Sequence, residues 1–440
     1  MVPVYKKSNP LTTGLEFLKD PLSFMLKNGP QYGDLYRVWL PLRRLYVTTD
    51  PEVIRHVLQT HHRNYVKSPA YRNLKLALGN GLVTSEGDFW FKQRRLAQPA
   101  FYKAALAGIF EKMADVAEDF CKNLEQERGA TIELAQKMME VTSDIVLKAL
   151  FSVSNDRDKQ QMYRQIIGAQ EYIMDRTTHP FRIPFYYLNG RHRQFLKYRR
   201  DFDEMAYRFI DEHKKNPDPP ADFLTLLLQT KDADTGEGMS DLQIRDEAIT
   251  IFAAGHETSA NALSWTIYLL SQHPNIARKV REEAENVFGD KKPEFADIQK
   301  LSYAKQVIEE SMRLYPPAYA VGREAAIDDE ILGEPIPKKS IVFIGIHALH
   351  HSEKYWPDPE KFDPERFTPE KAKDRPKFAY MPFGLGPRMC IGEHFAMMEM
   401  QLLLALLIQK FDFQYAGKEA PGYITLVTLK SKNGMPMRVG

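Results

Sequence analysis

From Ser240 the chain runs about 32 residues to Gln272 without a proline, and no other feature limits its fold so severely. Ser240-Asp241-Leu242-Gln243 has the form of a capping box, in which serine and glutamine satisfy two orphan amides reciprocally. At 1.5 Å per residue the helix that follows is ~48 Å long, enough to cross the whole protein. His273-Pro274 ends it. In its middle, between apolar stretches, stands Ala253-Ala254-Gly255-His256-Glu257-Thr258. Glycine costs ~1 kcal/mol in a helix interior, and a buried acid needs a partner. Thr258 follows Ala254 by one helical turn, so its hydroxyl can bond the Ala254 carbonyl and loosen the ladder. Two readings are open from these residues alone: a polar patch that merely kinks a core helix, or a groove that holds dioxygen or water with Thr258 and Glu257 as a proton relay.

A second segment, Phe383-Gly384-Leu385-Gly386-Pro387-Arg388-Met389-Cys390-Ile391-Gly392, sets one cysteine in a glycine-rich loop with an arginine two residues before it. An amphipathic helix is expected from Glu393 to about Lys410. Its N-terminus favours negative charge, so the sulfur is expected as a thiolate. A thiolate is a soft, anionic ligand suited to iron. Gly386 and Gly392 let the backbone approach a flat cofactor. Cys390 and His394 form a C-x3-H pair with no second pair nearby, which argues against zinc.

The chain has 440 residues, 43% of them apolar and 27% charged, which fits a folded protein with a large core. A net charge of +2 with no long basic block gives no argument for nucleic acid. With only two cysteines, a disulfide framework is not expected and a reducing compartment is. Cys121, in a helical pattern with Met113, Val116, Phe120 and Leu124, reads as structural. The first 24 residues contain no apolar stretch of about 18–20 residues, so neither signal peptide nor membrane anchor is expected. The reading is a soluble, cytoplasmic protein, bacterial in style.

Period-two patterns predict a hairpin over 33–51, with Leu35–Leu40 and Leu45–Thr49 joined by a basic turn. Pro51-Glu52 should open a helix. Helical periodicity dominates from about 87 to 320, with breaks at Gly129, 177–190 and 216–221. Strands return at 330–337 and 341–344. Ile424–Leu429 and Pro436–Val439 should form a last hairpin around Asn433-Gly434. The chain thus reads as one unit over 1–440. Its β region draws on about 33–51, 325–345 and 424–439, and its helical part on about 52–320 and 391–411.

The loop F-G-x-G-x-R-x-C-x-G resembles, position for position, the heme-binding loop of the cytochrome P450 (heme-thiolate monooxygenase) family. Four more motifs agree, in order. Trp90 and Arg94 resemble its W-x-x-x-R, and Ala254-Gly255-His256-Glu257-Thr258 its A-G-x-[DE]-T. Glu310 and Arg313 resemble its E-x-x-R, and Pro364-Glu365-Arg366-Phe367 its P-E-R-F. The resemblance covers Leu35 to Val439 and implies a mainly α prism fold with a small β-sheet domain. It implies heme b (iron protoporphyrin IX), ligated through iron by Cys390. Trp90, Arg94, Arg323 and Arg388 would hold the propionates, and Ala254, Phe383 and Gly392 would also contact the cofactor. Thr258 and Glu257 would be catalytic. Glu310, Arg313 and Arg366 would form a buried brace on the cysteine side.

The same resemblance implies insertion of one atom of dioxygen into a C–H bond of a hydrophobic substrate, such as a fatty acid or a terpenoid, carotenoid or steroid. Pocket walls would come from about Ser68–Leu82, Phe252 and Ala253, residues 318–321 and residues 425–427. The aromatic run 180–187 would be an access lid or plain core. No flavin or nicotinamide motif is visible, so electrons are expected from a separate ferredoxin or flavodoxin-type donor with its reductase. Lys92, Arg95 and Lys377 are candidates for its docking face on a monomeric protein. The rival readings are a peroxide-driven or isomerase-type heme-thiolate enzyme, or a heme-thiolate ligand-binding protein. The pair Glu257-Thr258 favours the monooxygenase.

Overall fold

The computed structural model describes residues 2–5, 10–40, 43–153 and 155–440. Backbone contacts divide the chain into two compact units. The first comprises Met1–Tyr71, Gln306–Cys390 and Gly422–Lys432, and the second Arg72–Lys305, Ile391–Pro421 and Asn433–Gly440.

The first unit is built on a five-stranded sheet with strand order Leu35–Leu40, Arg43–Thr48, Ile341–Gly345, Ala320–Ala325, Tyr65–Lys67. The predicted hairpin is its edge, with Leu35 opposite Thr48; its turn at Pro41-Leu42 lies outside the described residues. Arg43–Thr48 then pairs in parallel with Ile341–Gly345, a partner some 300 residues away that local pattern cannot indicate. Tyr46, Val342 and Ile344 pack with Val53, Ile54, Val57 and Met381 into one fully buried cluster. The helix Pro51–Arg55 starts where Pro51-Glu52 placed it, capped by Asp50, and continues as a π-turn over His56–Thr60. Two small hairpins complete the unit, Asp329–Ile331 with Glu334–Ile336 and Tyr423–Thr425 with Leu429–Ser431.

The second unit is helical. Its central helix, Asp241–Gln272, has 32 residues and both halves of the Ser240–Gln243 capping box. Leu134–Phe151 runs against it over much of its length. The helix after the cysteine spans Glu393–Lys410, and every residue from Met397 to Ile408 is buried. The helix expected as amphipathic is thus buried on all sides over that stretch instead, because the central helix, Lys103–Glu125 and Pro274–Phe288 all pack on it. In Lys103–Glu125 the buried stripe is Met113, Ala117, Cys121 and Leu124, with Val116 and Phe120 at its margin.

The C-terminal expectation needs correction. Asn433-Gly434 does turn, with Gly434 at φ +75°, but the flanking segments do not pair with each other. Pro436–Val439 pairs instead with Phe413–Tyr415 on one side and Thr131–Glu133 on the other. Met437 and Val439 are thereby completely buried, whereas Ile424 and Val427 stay exposed. Burial between two strands outweighs the local turn preference. A short helix, Ile183–Leu188, also occupies part of the break expected at 177–190.

Candidate active site

In the first unit the cysteine loop turns on two glycines in the left-handed region, Gly384 at φ +74° and Gly386 at φ +72°. It is closed by hydrogen bonds from Gly384 N to Met381 O (3.0 Å), Met389 N to Gly386 O (3.0 Å) and Cys390 N to Phe383 O (2.9 Å). A Cβ on Gly386 would overlap the Leu58 carbonyl, so the loop seats directly on the π-turn His56–Thr60. Cys390 is reduced and exposed, while Cys121 is buried. Burial pushes the Cys121 thiol up to about 12, which suits a packing role and no ligand role. Arg388 ends the short 3-10 turn before Cys390. Arg323, on Ala320–Ala325, is nearly buried and donates to the Gly322 carbonyl at 3.1 Å.

Behind the loop lies a buried ionic brace. Arg313 forks onto Glu310, Nε to Oε2 at 2.7 Å and Nη2 to Oε1 at 2.9 Å, with both side chains fully buried. Glu310 also accepts from Asp363 N at 2.9 Å, and Arg366 Nε lies 3.4 Å from it. Burial pushes the Glu310 pKa up; Arg313, the Asp363 amide and Arg366 oppose that rise. Arg313 Nη1 donates to the His350 carbonyl at 2.9 Å, and His350 Nε2 accepts from Met381 N at 3.1 Å. The brace thus reaches the first residues of the cysteine loop. Burial holds His350 and the neighbouring His347 neutral, far below the usual histidine range.

In the second unit Thr258 Oγ1 donates to the Ala254 carbonyl at 2.8 Å, the bond that their spacing predicts. Ala254 is exposed and Ala253, Gly255 and Thr258 are partly so, in a helix whose surrounding turns are buried. Glu257 is buried on the adjacent helical face, within the field of the Tyr163 phenol. Gly255 packs closely on the neighbouring helix, since a Cβ there would come to 3.2 Å from a Val146 methyl, which would have to shift slightly. Thr142 supports the same turn by donating to the His256 carbonyl at 2.9 Å, and His256 Nδ1 lies 2.7 Å from Phe252 O. Trp90 is buried on the helix Gly87–Ala97, and Arg94, one turn on, donates to Gln98 Oε1 at 3.0 Å. Gly392 begins the helix Glu393–Lys410 by accepting from Ala396 N at 2.8 Å.

Several positioning residues escaped the motif reading. Asp246 and Glu247 accept from Asn80 N (2.7 Å) and Leu82 N (3.1 Å), pinning the end of the segment 68–82 to the central helix. Two adjacent acids in an apolar helix were the available signal. Lys92 and Arg95, read as docking cations, are partly exposed and form ion pairs with Glu237 (2.7 Å) and with Asp232 and Asp234 (2.5 Å each). Lys377 is exposed.

Glu399, alone in its apolar run, is fully buried and faces Ser259, yet neither group makes a hydrogen bond of ordinary geometry. Burial pushes its carboxyl up to about 8, with only the Ser259 hydroxyl opposing. The folded state therefore holds a proton that the unfolded chain releases near 4.5. Stability from this group is fully present below that value, falls as pH rises to about 8, and then levels. Glu399→Gln should flatten the decline by about 1.4 kcal/mol per pH unit across that window in denaturation series. An unchanged slope would mean that Glu399 is ionised when folded.

The donor set suits an iron porphyrin. An exposed soft sulfur sits on backbone lacking Cβ atoms at Gly384 and Gly386, with Arg323 and Arg388 in the same unit as counter-charges for carboxylates. By itself, the second unit has a partly exposed turn of its central helix at 253–255, beside the Thr258 hydroxyl.

Known proteins agree with this reading. The sequence profile described as Cytochrome P450 matches residues 10–436, and the chain belongs to that family. It is 34% identical to a putative cytochrome P450 132 of Mycobacterium bovis, over 92% of this chain and 89% of that protein. It is 31% identical to cyclooctat-9-en-7-ol 5-monooxygenase of Streptomyces melanosporofaciens, over 89% and 84%. It is 32% identical to the chloroplastic protein LUTEIN DEFICIENT 5 of Arabidopsis thaliana, over 93% and 72%. The crystal structure of the cytochrome P450DA heme domain superposes with a TM-score of 0.91 at 27% identity, covering 100% of this chain and 97% of that one. The protein is a heme-thiolate monooxygenase of mainly α P450 fold. Among the described residues, no helix is long and apolar enough to cross a membrane.

Proposed function

We propose that this enzyme hydroxylates a C–H bond of a hydrophobic substrate, a fatty acid or a terpenoid, carotenoid or steroid. It would use heme b and take electrons from a separate ferredoxin or flavodoxin-type donor with its reductase. The observation that carries the reading is the Thr258–Ala254 bond in the partly exposed middle of an otherwise buried helix. The 31% identity to a monooxygenase of cyclooctat-9-en-7-ol supports an apolar substrate.

Heme, when bound, supplies the oxidising chemistry. Cys390 would hold the iron through an anionic sulfur, and the loop's glycines would let the backbone come close. Trp90, Arg94, Arg323 and Arg388 would donate to the propionates, and Phe383 and Gly392 would contact the cofactor. Ala254 leaves room beside the helix. The Thr258 hydroxyl donates its hydrogen bond to the Ala254 carbonyl and so keeps its lone pairs free to accept from a donor in the groove. Glu257 replenishes protons from the neighbouring face.

Thr258→Ala is expected to keep NAD(P)H- and partner-dependent oxygen consumption while product per oxygen falls about ten-fold or more. Thr258→Ser should restore most of the coupling. Oxygen use and product that stay in wild-type ratio in Thr258→Ala would exclude the hydroxyl from proton delivery. Binding without turnover across fatty-acid, steroid and terpene panels would overturn the monooxygenation reading.

A further inference from the structure

Helix Asp156–Thr178 carries an arginine, Arg176, that meets two phenols but, among the described residues, no carboxylate. Arg176 is half-buried, and its Nε and Nη1 are inaccessible to solvent and donate to nothing. Among the described residues no carboxylate pairs with it; the groups beside it are the phenols of Tyr172 and Tyr187. The adjacent Asp175 is already taken by Arg191 and, at 2.9 Å, by His179. Leaving guanidinium donors buried and unmatched is costly, so such a site is expected to have a partner outside the chain.

The surroundings indicate the partner's chemistry. Tyr172 is buried, stacks on Phe195 with centroids 4.6 Å apart, and bonds His192 Nδ1 at 2.9 Å, which fixes its phenol. Residues 180–200 contain five arginines and one lysine and no acid. The same stretch exposes Phe181 (83%), Phe185 (63%) and Leu188 (84%), large apolar side chains on a connection that could have been polar. A forked cation beside two phenols matches a carboxylate, and the apolar lip matches a hydrocarbon tail.

We propose that Arg176, with Tyr172 and Tyr187, binds the carboxylate of a long-chain carboxylic acid whose tail lies along the apolar side chains of 181–188. This rests on the reading of a hydrophobic substrate and narrows it to an anionic amphiphile. Arg176 is then a specificity residue for the head group and takes no part in the chemistry.

The test is equilibrium binding to the resting holoenzyme, without reductant, so it stands apart from whether the ligand is oxidised. Hexadecanoic acid should bind about ten-fold more tightly than its methyl ester. Arg176→Gln should bring the acid down to the ester's affinity and leave the ester unchanged, and Arg176→Lys should fall between. Tyr187→Phe, at an exposed position, should reduce the acid's preference with less risk to folding. Equal binding of acid and ester by the wild type, or an acid preference untouched by both Arg176→Gln and Tyr187→Phe, overturns the proposal. Loss of binding to anionic phospholipid vesicles in Arg176→Gln, with hexadecanoic acid affinity unchanged, also overturns it and assigns the patch to a membrane surface.

Discussion

Cys390→Ala is expected to abolish completely the red-shifted Soret band of the reduced, carbon-monoxide-treated protein, while Cys121→Ala leaves it in place. The two cysteines divide cleanly on physical grounds. Cys390 is exposed on a loop whose glycines give the backbone its close turn, whereas Cys121 is buried with its thiol pushed up to about 12. A thiol that high stays protonated and cannot serve as an anionic ligand. Cys390→Ser, which keeps the shape and exchanges soft sulfur for hard oxygen, should lose the same band. A thiolate-type band persisting in Cys390→Ala would place the ligand elsewhere and overturn the site.

The second large effect is expected from the brace behind that loop. Removing one partner, as in Glu310→Ala or Arg313→Ala, leaves the other buried and unpaired at a cost of about 3–5 kcal/mol. Whole-protein stability is commonly ~5–15 kcal/mol, so either variant should lose much of its yield and its heme retention. Arg313→Lys should be nearly as harmful, because an ammonium cannot reproduce the fork or reach the His350 and Lys361 carbonyls at once. The double variant Glu310→Leu/Arg313→Met should be less destabilised than the sum of the singles, since no lone charge remains. Chemical denaturation and heme content after gel filtration measure both. Additive losses in the double variant would show that the pair is not coupled.

Acid adds a related effect in the first unit. His347 and His350 are held neutral, so the unfolded chain binds protons there more readily than the folded one. Their contribution is complete above the ordinary value of 6.5 and is lost as pH falls below it. With Glu399 acting in the opposite sense, stability should be greatest in a band between mild acid and neutrality.

Much of the candidate site was legible because its parts are contiguous. The cysteine loop, the Ala254–Thr258 turn and the Glu310–Arg313 fork each lie within ten residues of sequence, where spacing alone sets which groups share a helical face or a turn. Long helices were equally plain, since periodicity and caps act locally, and Asp241–Gln272 and Glu393–Lys410 fall where those signals put them.

Pairings across the chain were not legible. The cation pairs of Lys92 and Arg95 depend on a loop about 140 residues on, and the tail strand Pro436–Val439 depends on Thr131–Glu133. Nothing in the adjacent residues encodes either. The sequence by itself determined the family, the candidate ligand Cys390 and the Thr258–Ala254 bond of the central helix, because each is written in short-range spacing. Only the tertiary structure decided that, among the described residues, Glu399 stands buried without a counter-charge and Arg176 meets two phenols and no acid. Burial and charge pairing are sums over distant neighbours, and they take definite values only when the chain has folded.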